Sequence, residues 1–311
     1  MPELVEVERA RRWLHAQIHR CRIVDVGAVL DEIVMPGMTP ELWKRSLIGK
    51  HIVDTKRRGK FLWLELDSPP HPIIHFGMTG SLRLIDPGSE LPKFSKWWFR
   101  TSAEQQVVFV NMRRLGRVRL AEDPLLSSPI CDMKFDALQD ELSLSEWIVK
   151  LTQSSRAIKA CLLDQSFTAG IGNWIADEVL YQAGIHPEQP ANTLDSEQAE
   201  KLYRSIKYVI TKALEFEHDE FYPKEWLVHY RWDKRNTKSV DCLGRKIHFL
   251  MVGGRTSAYV QQVQPLINKT AQAESQAKVK RAKSKKIKLE IPKLQKIPTR
   301  KSPRIAIKKK S

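Results

Sequence analysis

Gly170-Ile-Gly-Asn-Trp-Ile-Ala-Asp-Glu178 sets two glycines directly before a stretch of helical spacing, Asn173–Ala183, which Gly184 is placed to cap. Backbone amides at such a junction can face outward with a helix N-terminus behind them, an arrangement that suits a phosphate. Two glycines alone are equally consistent with a plain turn between helices. Working outward, Leu144–Leu151, Ala157–Leu163 and Glu197–Phe216 also have helical spacing, so the middle of the chain reads as a helical domain.

Upstream, the signals from Ile23 to Ala121 are mostly strands. Phe61-Leu-Trp-Leu-Glu-Leu66 alternates, Ile73-Ile-His-Phe76 is short and apolar, and Gln106-Val-Val-Phe-Val110 is rich in β-branched residues. Pro69-Pro70, Gly77, Gly80 and Pro87-Gly88 punctuate them. A β-sandwich or barrel is expected there. It is preceded by an amphipathic helix from Pro2 to about Ile18, with Leu4, Val7, Trp13, Leu14 and Ile18 near one period. Downstream, Arg245–Gln264 reads as a β-hairpin turning at Gly253-Gly254. The expected class is α+β, divided into 2–125 (sandwich), 126–240 (helical), 241–266 (hairpin) and a tail, 267–311.

The chain has 311 residues, enough for two modest domains, and a formal charge of +16. Of 52 Lys/Arg and 36 Asp/Glu, 16 bases and two acids lie from Lys269 onward, which leaves 36 and 34 before it. The folded part is close to neutral, so nucleic-acid binding by it must rest on particular residues. The tail is rich in Lys, Ala, Ser and Pro and is expected to be disordered, because it cannot bury enough apolar area to offset ordering entropy. Lys280-Arg-Ala-Lys-Ser-Lys-Lys286 fits a nuclear-localisation or DNA-tethering segment, with a merely solubilising tail as the alternative. The four cysteines are scattered without a CxxC pair, which suits reduced thiols, each read as a small buried hydrophobe. No apolar run approaches the roughly 18 residues of a membrane span.

Five separated segments together resemble the formamidopyrimidine-DNA glycosylase/endonuclease VIII (Fpg/Nei) family. They are Met1-Pro-Glu-Leu-Val-Glu-Val-Glu8; Arg58-Gly-Lys-Phe-Leu62 with His75-Phe-Gly-Met-Thr-Gly80; Arg113-Arg-Leu-Gly116; Gly170–Glu178; and Gly253-Gly-Arg-Thr-Ser-Ala-Tyr259. The resemblance implies an N-terminal β-sandwich, a helix-two-turn-helix domain and a terminal hairpin. It also implies a bifunctional DNA glycosylase and abasic-site lyase of base excision repair, acting as a monomer on double-stranded DNA with oxidised bases or abasic sites.

Within that resemblance, Pro2 is the nucleophile once Met1 is removed, since an α-amino group titrates around pH 8 and is partly uncharged near neutrality. Glu3 is the proton-handling partner, Glu6 supports it, and Lys60 grips phosphate beside the lesion and assists elimination. Met78, Arg113 and Leu115 fill the gap left by the everted nucleotide. Many relatives carry Phe where Leu115 stands, so stacking on the opposite base should be weaker. His75, Arg114 and Asn173 are implied phosphate contacts, and Arg255 grips phosphates from the hairpin tip. Read in isolation, Pro2 is as well explained as a helix-starting proline, Glu3 and Glu6 as N-terminal helix acids, Lys60 as a solvated turn residue and Met78 as core filler.

The sequence departs from the family where many relatives hold zinc on four cysteines. Val240, Leu243, Val260 and Val263 occupy those positions, and Cys242 lies one residue off register. A metal-free "zincless finger" held by a small apolar cluster is expected, as in the fungal and plant branch, with no cofactor and a nuclear location. Tyr222–Asp241 lacks the Gly-rich loop that bacterial relatives fold over 8-oxoguanine, so formamidopyrimidines, hydantoins and abasic sites are the better substrates. Two rivals stand beside this reading: a non-catalytic damaged-DNA-binding or scaffold protein that keeps the fold, and a basic chromatin or ribosomal protein bound through its tail.

Overall fold

The computed structural model describes residues 2–232 and 239–267. The expected tail lies, beyond Ile267, outside the described residues. Eight strands form two four-stranded antiparallel sheets. One runs β1 (Ile23–Ala28), β6 (Ser95–Thr101), β7 (Gln106–Asn111), β5 (Gly80–Ile85). The other runs β2 (Ile52–Arg58), β3 (Phe61–Leu66), β4 (His71–His75), β8 (Arg117–Ala121). Their inward side chains, among them Ile23, Leu62, Leu64, Ile74, Trp97, Phe99 and Phe109, make one core. A second helix, α2 (Pro40–Leu47), interrupts the expected run of strands; Thr39 caps it through Leu42 N and Pro40 stands in its first turn.

The helix α1 (Leu4–Ile18) joins two cores. Val7, Leu14 and Ile18 enter the sandwich, whereas Leu4 and Val5 enter the helical core. That second core is built by α3 (Leu144–Thr152), α4 (Ile158–Leu163), α5 (Asn173–Ala183) and α6 (Ser196–Ala213), with Trp147, Leu162, Ile175, Leu202 and Ile206 fully buried. Gly184 adopts φ 69° and closes α5 as the sequence suggested. Among the described residues no helix is long and apolar enough to cross a membrane.

The hairpin pairs β9 (His248–Val252) with β10 (Arg255–Tyr259). Its packing corrects the expected four-residue apolar cluster. Val260 is fully buried and Val263 packs beside it with Tyr181, Leu227, Ile247 and Ala258, but Val240 is 43% exposed and Leu243 71% exposed. The reason is the residue between them. Asp241 accepts from the amides of Leu243 and Arg245, from Arg245 Nε at 2.7 Å and from the Tyr181 hydroxyl at 3.1 Å. A carboxylate that organises its own turn leaves the flanking apolar side chains outside. The cysteines also differ from expectation: Cys161 is buried, Cys21 is half-buried, and Cys131 and Cys242 are exposed.

Candidate active site

The start of α1 is held against the start of α5. Leu4 N donates to Gly170 O at 3.0 Å. The Glu3 carboxylate, in a side chain that is almost fully buried, accepts from the amides of Trp174 at 3.0 Å and Ile175 at 3.2 Å. The outward-facing amides expected to hold a phosphate therefore hold Glu3, an anion supplied by the chain itself. Glu6 lies one turn on: its Oε2 accepts from Glu3 N at 2.7 Å and its Oε1 from Trp174 Nε1 at 3.1 Å. Burial raises the Glu3 pKa, against the pull of Lys60 and the two amides. Burial, and then the neighbouring Glu3, raise Glu6 to about 7.

Lys60 reaches this pair from the two-residue turn between β2 and β3, where Arg58 pairs with Phe61. Gly59 takes φ +57°, and a side chain there would meet Met133 Sδ at 2.7 Å. Buried Arg57 fixes the turn: it donates to Gly59 O and forms a two-point pair with Asp136, which in turn accepts from Gly59 N. Burial lowers the Lys60 pKa; Glu3 opposes that fall and Arg255 adds to it. Arg255, at the start of the hairpin's second strand, thus lies within electrostatic reach of Lys60. Asn173 Nδ2 donates to Thr256 O at 3.1 Å and ties the start of α5 to the hairpin tip.

A buried polar network completes that attachment. Lys159 Nζ is 2.5 Å from Asp177 Oδ1 and donates to Ser257 Oγ at 2.7 Å. Asp177 Oδ2 also receives Arg231 and the Ala258 amide. Nothing in the sequence pattern pairs residues so far apart, and reading the sequence alone missed this network. Pro2 itself lines a cavity of about 310 Å³ together with Glu6, Arg9, Trp13, Phe76 and Gly80.

Met78, Arg113 and Leu115 sit on two loops joined at the strand register Gly80↔Asn111. Gly77, at φ +63°, packs against the Leu115 backbone so closely that no side chain fits. Buried Asn111 fastens the loops: its Nδ2 donates to Phe76 O and its Oδ1 accepts from Gly116 N. Met78 and Leu115 are each 40% exposed, so neither fills the core. His75 lies tilted against the Phe61 ring and accepts from Gly77 N through Nδ1, which leaves Nε2 to carry its proton. Burial, with Lys60 and Arg117, lowers its pKa to about 4, so it is a neutral donor at pH 7. Arg114 departs from its expected role. It donates from Nε and Nη2 to buried Asp31, which Lys96 also pairs, and so its half-exposed guanidinium is held by a carboxylate of the protein itself. Among the described residues no three His, Cys, Asp or Glu side chains are grouped to hold a metal ion.

The arrangement joins an N-terminal segment, a carboxylate seated on a helix terminus, a desolvated lysine and an apolar cavity. Comparison with known proteins points the same way. Residues 1–118 match the formamidopyrimidine-DNA glycosylase N-terminal domain, and residues 133–222 match the H2TH domain of the same family. The chain is 42% identical over 297 residues to the formamidopyrimidine-DNA glycosylase of Arabidopsis thaliana, covering 91% of this chain and 75% of that one. Against the Synechococcus elongatus protein of that name it is 33% identical, covering 86% and 98%. The Lactococcus lactis enzyme, solved non-covalently bound to DNA containing an AP site, superposes with a TM-score of 0.73 at 27% identity over 85% of this chain and 99% of that one. With both of its core domains matched in order, the chain belongs to the formamidopyrimidine-DNA glycosylase family, DNA glycosylases of base excision repair.

Proposed function

We propose that the mature chain begins at Pro2 and acts as a bifunctional glycosylase and abasic-site lyase on double-stranded DNA. The Pro2 nitrogen attacks C1′ of a damaged nucleotide, and the C1′–N bond breaks as the base leaves with a proton. The C1′–O4′ bond then opens, O4′ taking a proton, and the resulting iminium acidifies the C2′ hydrogen. Loss of that proton expels the 3′ phosphate, a second elimination can expel the 5′ phosphate, and water releases the amine. The observation that carries this reading is the seat of Glu3. Buried with a raised pKa between the Pro2 segment and the α5 amides, it can hold and return a proton at the sugar. Lys60 and Arg255 supply the positive potential for the departing phosphate.

Formamidopyrimidines, hydantoins and abasic sites are the proposed substrates, with 8-oxoguanine handled poorly. The support is the stretch 222–241, which lacks a Gly-rich loop, although residues 233–238 of it lie outside the described residues. The zincless hairpin and a nuclear location carried by residues 280–286 belong to the same proposal. Borohydride trapping tests its centre. Wild-type protein on abasic-site DNA should yield a covalent adduct that Pro2→Gly largely loses; equal trapping by both, or by neither, overturns the mechanism. Loss of all DNA binding on deletion of residues 269–311, in place of reduced salt-sensitive affinity, would point instead to a tail-bound protein.

A further inference from the structure

An exposed apolar pair continues the Met78–Leu115 rim. Phe94 is 52% exposed and Met112 55% exposed, although tryptophan and phenylalanine side chains of the sandwich core begin three residues after Phe94. Phe94 holds φ 66°, a left-handed conformation that bulky residues rarely adopt, and its carbonyl accepts from Asn111 N at 3.0 Å. That bond sets Phe94 beside the residue preceding Met112. Asn111 is the same residue that ties the two rim loops together, and Arg113 N donates to Thr79 Oγ1 within the rim. The pair is therefore built on the rim's own framework.

The sheet order fixes which side of the rim the pair occupies. Across β5, β7 and β6 the sequence is cavity, rim, then Phe94: Gly80 at the start of β5 lines the Pro2 cavity, Asn111 ends β7, and Phe94 immediately precedes β6. At about 4.8 Å per strand, Phe94 lies on the order of 10 Å beyond the cavity edge. We propose that Phe94 and Met112 form an apolar shelf for the deoxyribose faces of the strand opposite the damaged nucleotide. This rests on the function proposed above, in which the damaged strand enters at the Pro2 cavity and the rim fills the helix between the strands. Lys93 and Arg113, adjacent in sequence to Phe94 and Met112, are exposed and suit the phosphates on either side of a sugar, whereas Lys96 and Arg114 are both engaged by Asp31.

The test is the ratio of affinities for double-stranded and single-stranded DNA carrying one tetrahydrofuran abasic analogue. It is measured for wild type, Phe94→Asn and the double variant Phe94→Asn with Met112→Gln. Asn tolerates the left-handed backbone, and any unfolded fraction cancels from the ratio. The ratio should fall about tenfold in the double variant, with most of the fall already present in Phe94→Asn. A ratio that stays at the wild-type value in the double variant overturns the shelf. Borohydride trapping of the same proteins on single-stranded abasic DNA reports the Pro2 chemistry separately, so failure of the shelf and failure of the mechanism are told apart.

Discussion

Gly172 lies where any side chain would overlap the Glu3 carboxyl group: a Cβ built there falls on its Cδ and Oε1. The carboxylate can reach the amides of Trp174 and Ile175 only because residue 172 has no side chain. Gly172→Ala should displace Glu3 and lower base removal by about 100-fold or more, the usual worth of a positioned proton-transfer group. Combined with Glu3→Gln, it should add little, since both changes remove one interaction. Single-turnover rates on a single-lesion duplex check this, and additive losses in the double variant would separate the two residues.

The turn that carries Lys60 depends on the buried Arg57–Asp136 pair. Asp136→Ala leaves the fully buried Arg57 guanidinium without its two-point partner, held only by Glu8 at 3.2 Å and the Gly59 carbonyl. Stability should fall by about 3–5 kcal/mol, and an Arg57→Met, Asp136→Leu double variant should recover much of it. Urea midpoints measure both. The double variant should still cut abasic DNA slowly, because Gly59 N no longer has its acceptor.

The parts of this molecule legible in its sequence are those written in local pattern. Alternation marked the bounds of Phe61–Leu66, although Trp63 is buried on the opposite face in a small core of its own, and the Gly172–Gly184 interval marked α5 to the residue. Thr39-Pro40-Glu41 carried a helix-start signal that the surrounding strand pattern obscured. The family resemblance singled out Glu3, Lys60 and Arg255, and the fold brings Lys60 within electrostatic reach of the other two. What stayed illegible were partnerships set by tertiary distance. No spacing rule joins Asp31 to Arg114, or Lys159 to Asp177 and Ser257. The apolar residues Val240 and Leu243 implied burial, but the Asp241 between them decided the turn.

Glu6 gives the fold a pH dependence of definite sign. Its pKa rises from 4.5 to about 7 on folding, chiefly through burial. Below pH 4.5 it is protonated in both states and contributes nothing; above 7 it is charged in both, and the folded state bears the cost. Wild-type stability should therefore fall, relative to Glu6→Gln, by about 3 kcal/mol between pH 4.5 and 7. Denaturant midpoints of both proteins across that range check the slope. A difference that is flat with pH would place the Glu6 carboxyl in water.

Arg114 separates a tether from a phosphate contact. Its pairing with Asp31, which also receives Lys96 and the Val34 amide, holds the Asp31 pKa well below the usual carboxylate range despite burial. Because that pKa is depressed, the stabilisation is fully present at neutral pH and is lost progressively as pH falls from the ordinary carboxylate range toward the lowered value. Arg114→Asn keeps a residue type tolerant of the positive φ of 53° and removes only the guanidinium. It should lower the denaturant midpoint at pH 7, and lower it less at pH 3. The slope of log affinity for abasic DNA against log salt should stay as in wild type. A guanidinium gripping DNA would instead reduce that slope by about one unit. A reduced slope with unaltered stability would return Arg114 to the phosphate backbone.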